Sequence, residues 1–212
     1  MNETFFGPGA ALIVIDVQND FCPGGALAVP GGDAIVPAVN RLIGMAGLVV
    51  LTQDWHPRRH GSFASSHRGR HPFETVEVAY GPQTLWPDHC VQGTSGAAFH
   101  GDLHVDPAAL IVRKGMRAGV DSYSAFFEND RVSTTGLDAW LRARGVDRVV
   151  LCGLAWDFCV AYSALDAARL GFAVAVVEDA CAAIDLDGSR VAQTAAMRAA
   201  GVSLSSMAAI GT

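Results

Sequence analysis

A chain of 212 residues fits one domain, because domains run to about 50–250 residues and this length can enclose a sizeable core. Half of the residues are hydrophobic and 17% are charged, a composition too apolar for intrinsic disorder. Fifteen basic against 21 acidic residues give a formal charge of -6, which argues against a nucleic-acid or anionic-membrane partner and in favour of a small-molecule site.

In chain order, short β-rich apolar runs alternate with helical patterns. Ala11–Val17 reads as a strand buried on both faces, Ala34–Met45 as a helix with apolar residues three and four apart, and Gly47–Thr52 as a second strand. Residues 53–109 break the alternation with little periodicity, far beyond the usual connection of about four to six residues. All seven histidines (His56, His60, His67, His71, His89, His100, His104) fall inside this excursion, with Trp55 and Trp86. The alternation resumes with strands at Leu110–Val112, Val149–Cys152 and Ala173–Val177, and with helices at Gly136–Arg144, Phe158–Leu170 and Ser189–Ala200. The pattern predicts a single α/β domain: a doubly wound, mostly parallel sheet with helices on both faces.

The five cysteines, Cys22, Cys90, Cys152, Cys159 and Cys181, are odd in number and scattered, without a C-x-x-C pair. This predicts no disulfide framework and a reducing compartment. No apolar run approaches the roughly 18 residues of a membrane span, and the opening MNETFFGPG carries an acid where a signal peptide needs positive charge. A cytoplasmic location is expected. Gly7-Pro8-Gly9 precedes a strand rather than following one, so it is not a dinucleotide fingerprint.

In open α/β sheets ligands bind beyond the carboxyl ends of the strands, which makes the polar strand-end residues candidates. Asp16 ends the first strand, Asp54 follows the second, Lys114 follows the third, and Cys159 lies in the turn after GLAWD. With Asp157 as N-cap, the Cys159 thiol would occupy a first helical turn, where the helix dipole and Lys114 favour a thiolate and free N–H groups can hold an oxyanion. Asp16 would shuttle protons. Taken singly, each has a plainer reading: a buried cysteine, an Asx-turn aspartate, a solvated lysine. Asp54-Trp55-His56 has a metal-ligand look, because residues two apart on extended chain point the same way; His89, His60 or His71 would complete the face.

Together these residues are specific enough to carry a resemblance. The chain resembles the nicotinamidases, also called pyrazinamidases, among the isochorismatase-like cysteine hydrolases. The match rests on DVQNDFCPGGALAVPGG from Asp16, TQDWHP from Thr52, HGSFA from His60, WPDHCVQGTSGAAFH from Trp86, Lys114-Gly115, DSYSAF from Asp121 and GLAWDFCV from Gly153. The resemblance implies a catalytic triad of Asp16, Lys114 and Cys159, with an oxyanion hole from the N–H groups of Ala155 and Cys159 after a cis peptide. It implies one divalent metal ion, zinc before iron or manganese, on Asp54, His56 and His89, with His60 or water as fourth ligand. Phe21, Trp86 and Tyr123 would line the substrate pocket, with Phe21 and Trp86 sandwiching a pyridine ring. The implied reaction is hydrolysis of nicotinamide, and of pyrazinamide, to the acid and ammonia, a step of NAD salvage.

The family usually has threonine where this chain has Trp156. Trp140 and Trp156 read equally as core residues or as the interface of a homo-oligomer. Alternatives on the same residues are a related amide or ureido hydrolase, a metal-hydroxide hydrolase in which Cys159 is structural, and a pyridine-binding module without catalysis.

Overall fold

The computed structural model describes residues 5–210. Glu3, the acid of the opening segment, lies outside them. Six strands form one parallel sheet: β1 (Ala10–Ile15), β2 (Val49–Asp54), β5 (Leu110–Lys114), β6 (Arg148–Leu154), β7 (Ala173–Ala182) and β8 (Ser203–Ser205), in the order β5-β2-β1-β6-β7-β8. A separate antiparallel hairpin, β3 (Thr75–Val78) with β4 (Gly81–Thr84), lies within the long excursion.

The sequence of β1 shows why helices cover both faces. Its six residues are AALIVI, apolar throughout, and successive side chains point to opposite faces. Leu12 and Val14 enter a core with Val36, Val39, Leu42 and Ile43 of α1 (Val36–Met45). Ala11, Ile13 and Ile15 enter the other core, with Leu137 and Leu141 of α2 (Leu137–Arg142), Ala161, Ala164 and Ala167 of α3 (Ala161–Arg169) and Met197 of α4 (Ser189–Ala199). A short α5 (Met207–Ile210) adds Ile210 to the first.

Five of the six sheet strands and all four long helices lie where periodicity puts them, with ends shifted by a few residues. Two corrections concern the excursion and the chain end. The excursion contains the β3–β4 hairpin, and β8 adds a sixth strand from the short, polar Ser203–Ser205. A third concerns the helix that carries Cys159, which opens with a π-helical turn, Trp156–Val160, before α3; the N-cap of that turn is Ala155, not Asp157.

The strand order places the functional rim. From β1 the chain first builds outward through β2 and β5, then returns to pair β6 on the other side of β1. The crevice beyond the carboxyl ends of β1 and β6 is therefore the point where strand order reverses, the usual ligand position in such sheets. Gly153 permits the close approach there: it has φ +118, and a Cβ would lie 2.1 Å from the carbonyl oxygen of Ile15.

Candidate active site

Asp16 leaves β1 with φ 46, a left-handed turn that aspartate tolerates better than most residues. Thr52 on the adjacent β2 fixes its side chain: Thr52 Oγ1 donates to Asp16 Oδ1 at 2.6 Å and accepts from the Asp16 N–H at 3.1 Å. Lys114 ends β5, and the β2–β5 register sets it directly beside Asp54. Its Nζ lies 2.8 Å from Asp54 Oδ1, 2.8 Å from the Ser122 carbonyl, 2.9 Å from Asp16 Oδ2 and 3.4 Å from Cys159 Sγ. The ammonium donates three hydrogen bonds, to Asp54, Ser122 and Cys159. Asp16 Oδ2 contacts it as an ion pair without hydrogen-bond alignment, which leaves that oxygen open to accept a proton. All four side chains are nearly or fully buried.

Burial sets the direction of most shifts here. It raises the Asp16 carboxyl above its usual range against the pull of Lys114, and drives the Cys159 thiol well up, again with Lys114 opposing. Lys114 lowers the thiol as expected, but burial together with the charges of Asp16 and Asp54 pushes the other way and prevails. Lys114 itself is held well above its usual value, because the two carboxylates and Cys159 outweigh its burial.

The excursion brings Asp54, His56 and His89 together, with ligand atoms within 4.8 Å of one another. His56 Nε2 is 3.0 Å and His89 Nε2 3.5 Å from Asp54 Oδ2. Their other ring nitrogens are engaged: His56 Nδ1 donates to the Gly115 carbonyl at 2.9 Å, and His89 Nδ1 to the Pro87 carbonyl at 2.8 Å. Those bonds fix the tautomers and turn two Nε2 lone pairs toward one carboxylate oxygen, a set that fits a divalent cation. Gly115 makes this possible: its φ is +64, and a Cβ would lie 2.4 Å from His56 Cε1. His71 is exposed, and His60 has both ring nitrogens occupied, Nδ1 by Ser62 and Nε2 by the carbonyls of Arg117 and Val120.

Between these groups lies a pocket whose lining includes Phe21, Trp86, Tyr123, Asp54, His89, Ala155 and Cys159. A cis peptide joins Leu154 to Ala155. Tyr123 steadies one wall, since its hydroxyl accepts from Trp86 Nε1 at 3.1 Å and from Gln83 Nε2 at 3.0 Å. Leu27, Asp121, Phe158 and Ile184 complete the lining and went unread in the sequence. So did Thr52 and Gln18, whose side-chain amide donates to the Asp54 carbonyl and accepts from the Asp54 N–H. Both lie inside motifs that carry the family resemblance, Gln18 in DVQND and Thr52 at the head of TQDWHP, but no role was read for either.

Trp156 points away from this pocket. It is buried, and its Nε1 donates to Thr194 on α4 at 3.1 Å. Trp140 is half-buried and stacks beneath Arg144, whose guanidinium lies 3.7 Å from the ring centre. Both indoles are thus placed by contacts within the chain.

The chain belongs to the isochorismatase family: the Isochorismatase domain model matches residues 10–209. Within that family its likeness is to the nicotinamidases. It is 53% identical to the nicotinamidase of Acinetobacter baylyi over 91% of this chain and 90% of that protein. It is 46% identical to that of Escherichia coli over 95% and 96%. Among solved structures, an Acinetobacter baumanii nicotinamidase–pyrazinamidase superposes with TM-score 0.94 at 52% identity, covering 95% of this chain and 98% of that one. An L. infantum protein in complex with nicotinate gives 0.83 at 41%, covering 95% and 94%. A Pyrococcus horikoshii pyrazinamidase in complex with zinc gives 0.75 at 39%, covering 94% and 99%. No described helix is long and apolar enough to cross a membrane.

Proposed function

We propose that this chain is a cysteine amidohydrolase that converts nicotinamide, and by the same chemistry pyrazinamide, to the carboxylic acid and ammonia. The observation that carries the reading is Lys114 Nζ, set 2.9 Å from Asp16 and 3.4 Å from Cys159 beneath an aromatic pocket. A binding module would have no need to converge a thiol, a carboxylate and an ammonium. The nicotinate complex of the L. infantum relative supports a pyridine substrate.

Phe21 and Trp86 hold the pyridine ring and shield it from water, with Tyr123 bracing Trp86. Asp16 Oδ2 takes the Cys159 proton as Sγ attacks the amide carbon, and the N–H groups of Ala155 and Cys159 hold the resulting oxyanion. Asp16 then passes that proton to the amide nitrogen, the C–N bond breaks, and ammonia leaves a thioester on Cys159. A water gives its proton to Asp16 and attacks the thioester. Collapse of the second oxyanion breaks the C–S bond, and Asp16 returns the proton to the departing sulfur. Lys114 offsets the negative charge that Asp16 and Cys159 carry in turn.

Asp54, His56 and His89 would hold one divalent ion, zinc as in the P. horikoshii relative, with water rather than His60 completing the shell. When bound, the ion supplies a Lewis-acid contact for the ring nitrogen that orients the amide. Five free cysteines suit a reducing compartment, and we place the reaction in the cytoplasm within NAD salvage.

Ammonia release from nicotinamide tests the reading in three arms: metal-loaded protein, metal-loaded Cys159→Ala, and chelated protein. Turnover is expected from the first arm alone, with Cys159→Ala lower by about 10³-fold or more. Turnover surviving in Cys159→Ala would move the nucleophile to the metal site, and three inactive arms would exclude nicotinamide as substrate.

A further inference from the structure

The two residues that open the π-helical turn both reach away from the catalytic pocket and hold the same neighbouring region. Trp156 bonds Thr194 on α4. The Asp157 carboxylate accepts from the backbone N–H of Ile184 at 3.0 Å and of Asp185 at 2.7 Å, and from Ser189 Oγ. Asp157 is fully buried in the first turn of its helix, where aligned amide dipoles favour a carboxylate.

The segment so held joins β7 to α4. It passes through left-handed backbone at Asp185, φ 56, and Asp187, φ 51, a conformation uncommon outside glycine although aspartate tolerates it better than most residues. Ile184 lines the catalytic pocket beside Ala155, Phe158 and Cys159. On its other side the same residue borders a second cavity of about 450 Å³, whose walls include Trp156, Cys181, Asp185 and Arg190. A wall with a cavity behind it is only partly held by packing. The hydrogen bonds to Asp157 supply the rest.

We infer that Asp157 is a positioning residue and Ile184 a specificity-determining one: the buried carboxylate fixes the β7–α4 segment so that Ile184 limits the ring the pocket admits. The inference rests on nicotinamide as the substrate. Asparagine at 157 keeps one accepting oxygen and turns an NH₂ toward N–H donors, which breaks part of the grip while preserving volume. Alanine at 184 removes the wall and leaves the grip.

Two measurements on metal-loaded wild type, Asp157→Asn and Ile184→Ala decide it. The first is kcat and KM for nicotinamide and for nicotinamides methylated on ring carbon 5 or 6. Both variants are expected to raise kcat/KM for at least one methylated substrate relative to nicotinamide by about tenfold or more, chiefly through KM. The second is amide hydrogen exchange, where the protection of the N–H groups at residues 184 and 185 should fall about tenfold in Asp157→Asn and stay at the wild-type level in Ile184→Ala. A uniform fall in kcat with the substrate ratio unchanged would overturn the inference, placing Asp157 instead as a support of the nucleophile. Unchanged exchange in Asp157→Asn would overturn it as well. If the wild type fails to hydrolyse nicotinamide, the functional proposal fails and the specificity role of Ile184 falls with it, while exchange still decides separately whether Asp157 holds the segment. Should Asp157→Asn not fold, Ser189→Ala removes one donor and is expected to move both readouts the same way by a smaller factor.

Discussion

Lys114 has no solvent to stabilise its charge, so the two carboxylates around it are what keep it protonated. Removing one member of a buried charge cluster leaves the rest uncompensated, at a cost of about 3–5 kcal/mol. Of the charges around the thiol, Lys114 alone lowers it, while Asp16 and Asp54 raise it. Lys114→Met is therefore expected to move the midpoint of the pH profile for Cys159 alkylation upward, slowing alkylation at neutral pH by about tenfold or more. A midpoint unchanged by iodoacetamide labelling and mass spectrometry would show that Lys114 does not act on the thiol. That a cation follows the third strand was legible in the sequence. Its contact with Asp54 was not, because it depends on the pairing of Asp54 with Lys114 across β2 and β5, 60 residues apart along the chain.

Among the elements, the β3–β4 hairpin escaped notice because its strands have four residues each: TVEV does alternate between exposed and half-buried, but over too short a run to stand out, and GPQT carries no apolar alternation, with only Gln83 buried. Gln83 donates to Asp121 and Tyr123 and so ties the hairpin to the pocket. β8 was missed for a similar reason, three residues being too few to show a pattern. Asp157 misled in another way, since its residue type suits a cap while its carboxylate serves a distant loop. In the turn before α2, Asp130 accepts from the backbone N–H of Ser133 at 2.8 Å and of Val132 at 3.0 Å, and is pulled down to about 2. A carboxylate whose folded value lies below its unfolded one, about 3.9, adds stability above that pH and loses it as pH falls toward the folded value. Asp130→Ala should destabilise at pH 7 by on the order of 1 kcal/mol. Urea unfolding at pH 7, 4 and 2 checks the sign: the difference from wild type should persist at neutral pH and shrink between about 4 and 2.

Taken whole, the molecule divides its chemistry across the β1–β6 crevice. Asp16, Asp54 and Lys114 come from β1 and from the strands built outward on one side of it, and Cys159 from the turn that follows the strand on the other. Strand and helix alternation made the layers legible, and the family motifs marked the rim. The pocket's outer wall was not legible, because Ile184 reaches it through a loop with no periodicity. A metal ion held by Asp54, His56 and His89 would bind the folded state only, since the three ligands meet through tertiary structure. At a concentration one hundred times the dissociation constant that linkage is about 2.7 kcal/mol, a rise in thermal midpoint of roughly 5–10 °C for a chain of this size. Scanning calorimetry with and without zinc should show the rise, and Asp54→Ala should abolish it.

At the margin of the sheet, β5 pairs with β2 on one side only, and its five residues alternate between shielded and solvent-facing. Margins open more cheaply than centres. Yet the last residue of this strand is Lys114, the ammonium that joins the carboxylates to the thiol. Catalytic competence is thus less durable than the globule that houses it: a molecule whose β5 has peeled away still keeps its central strands and both helical layers, but has no working centre.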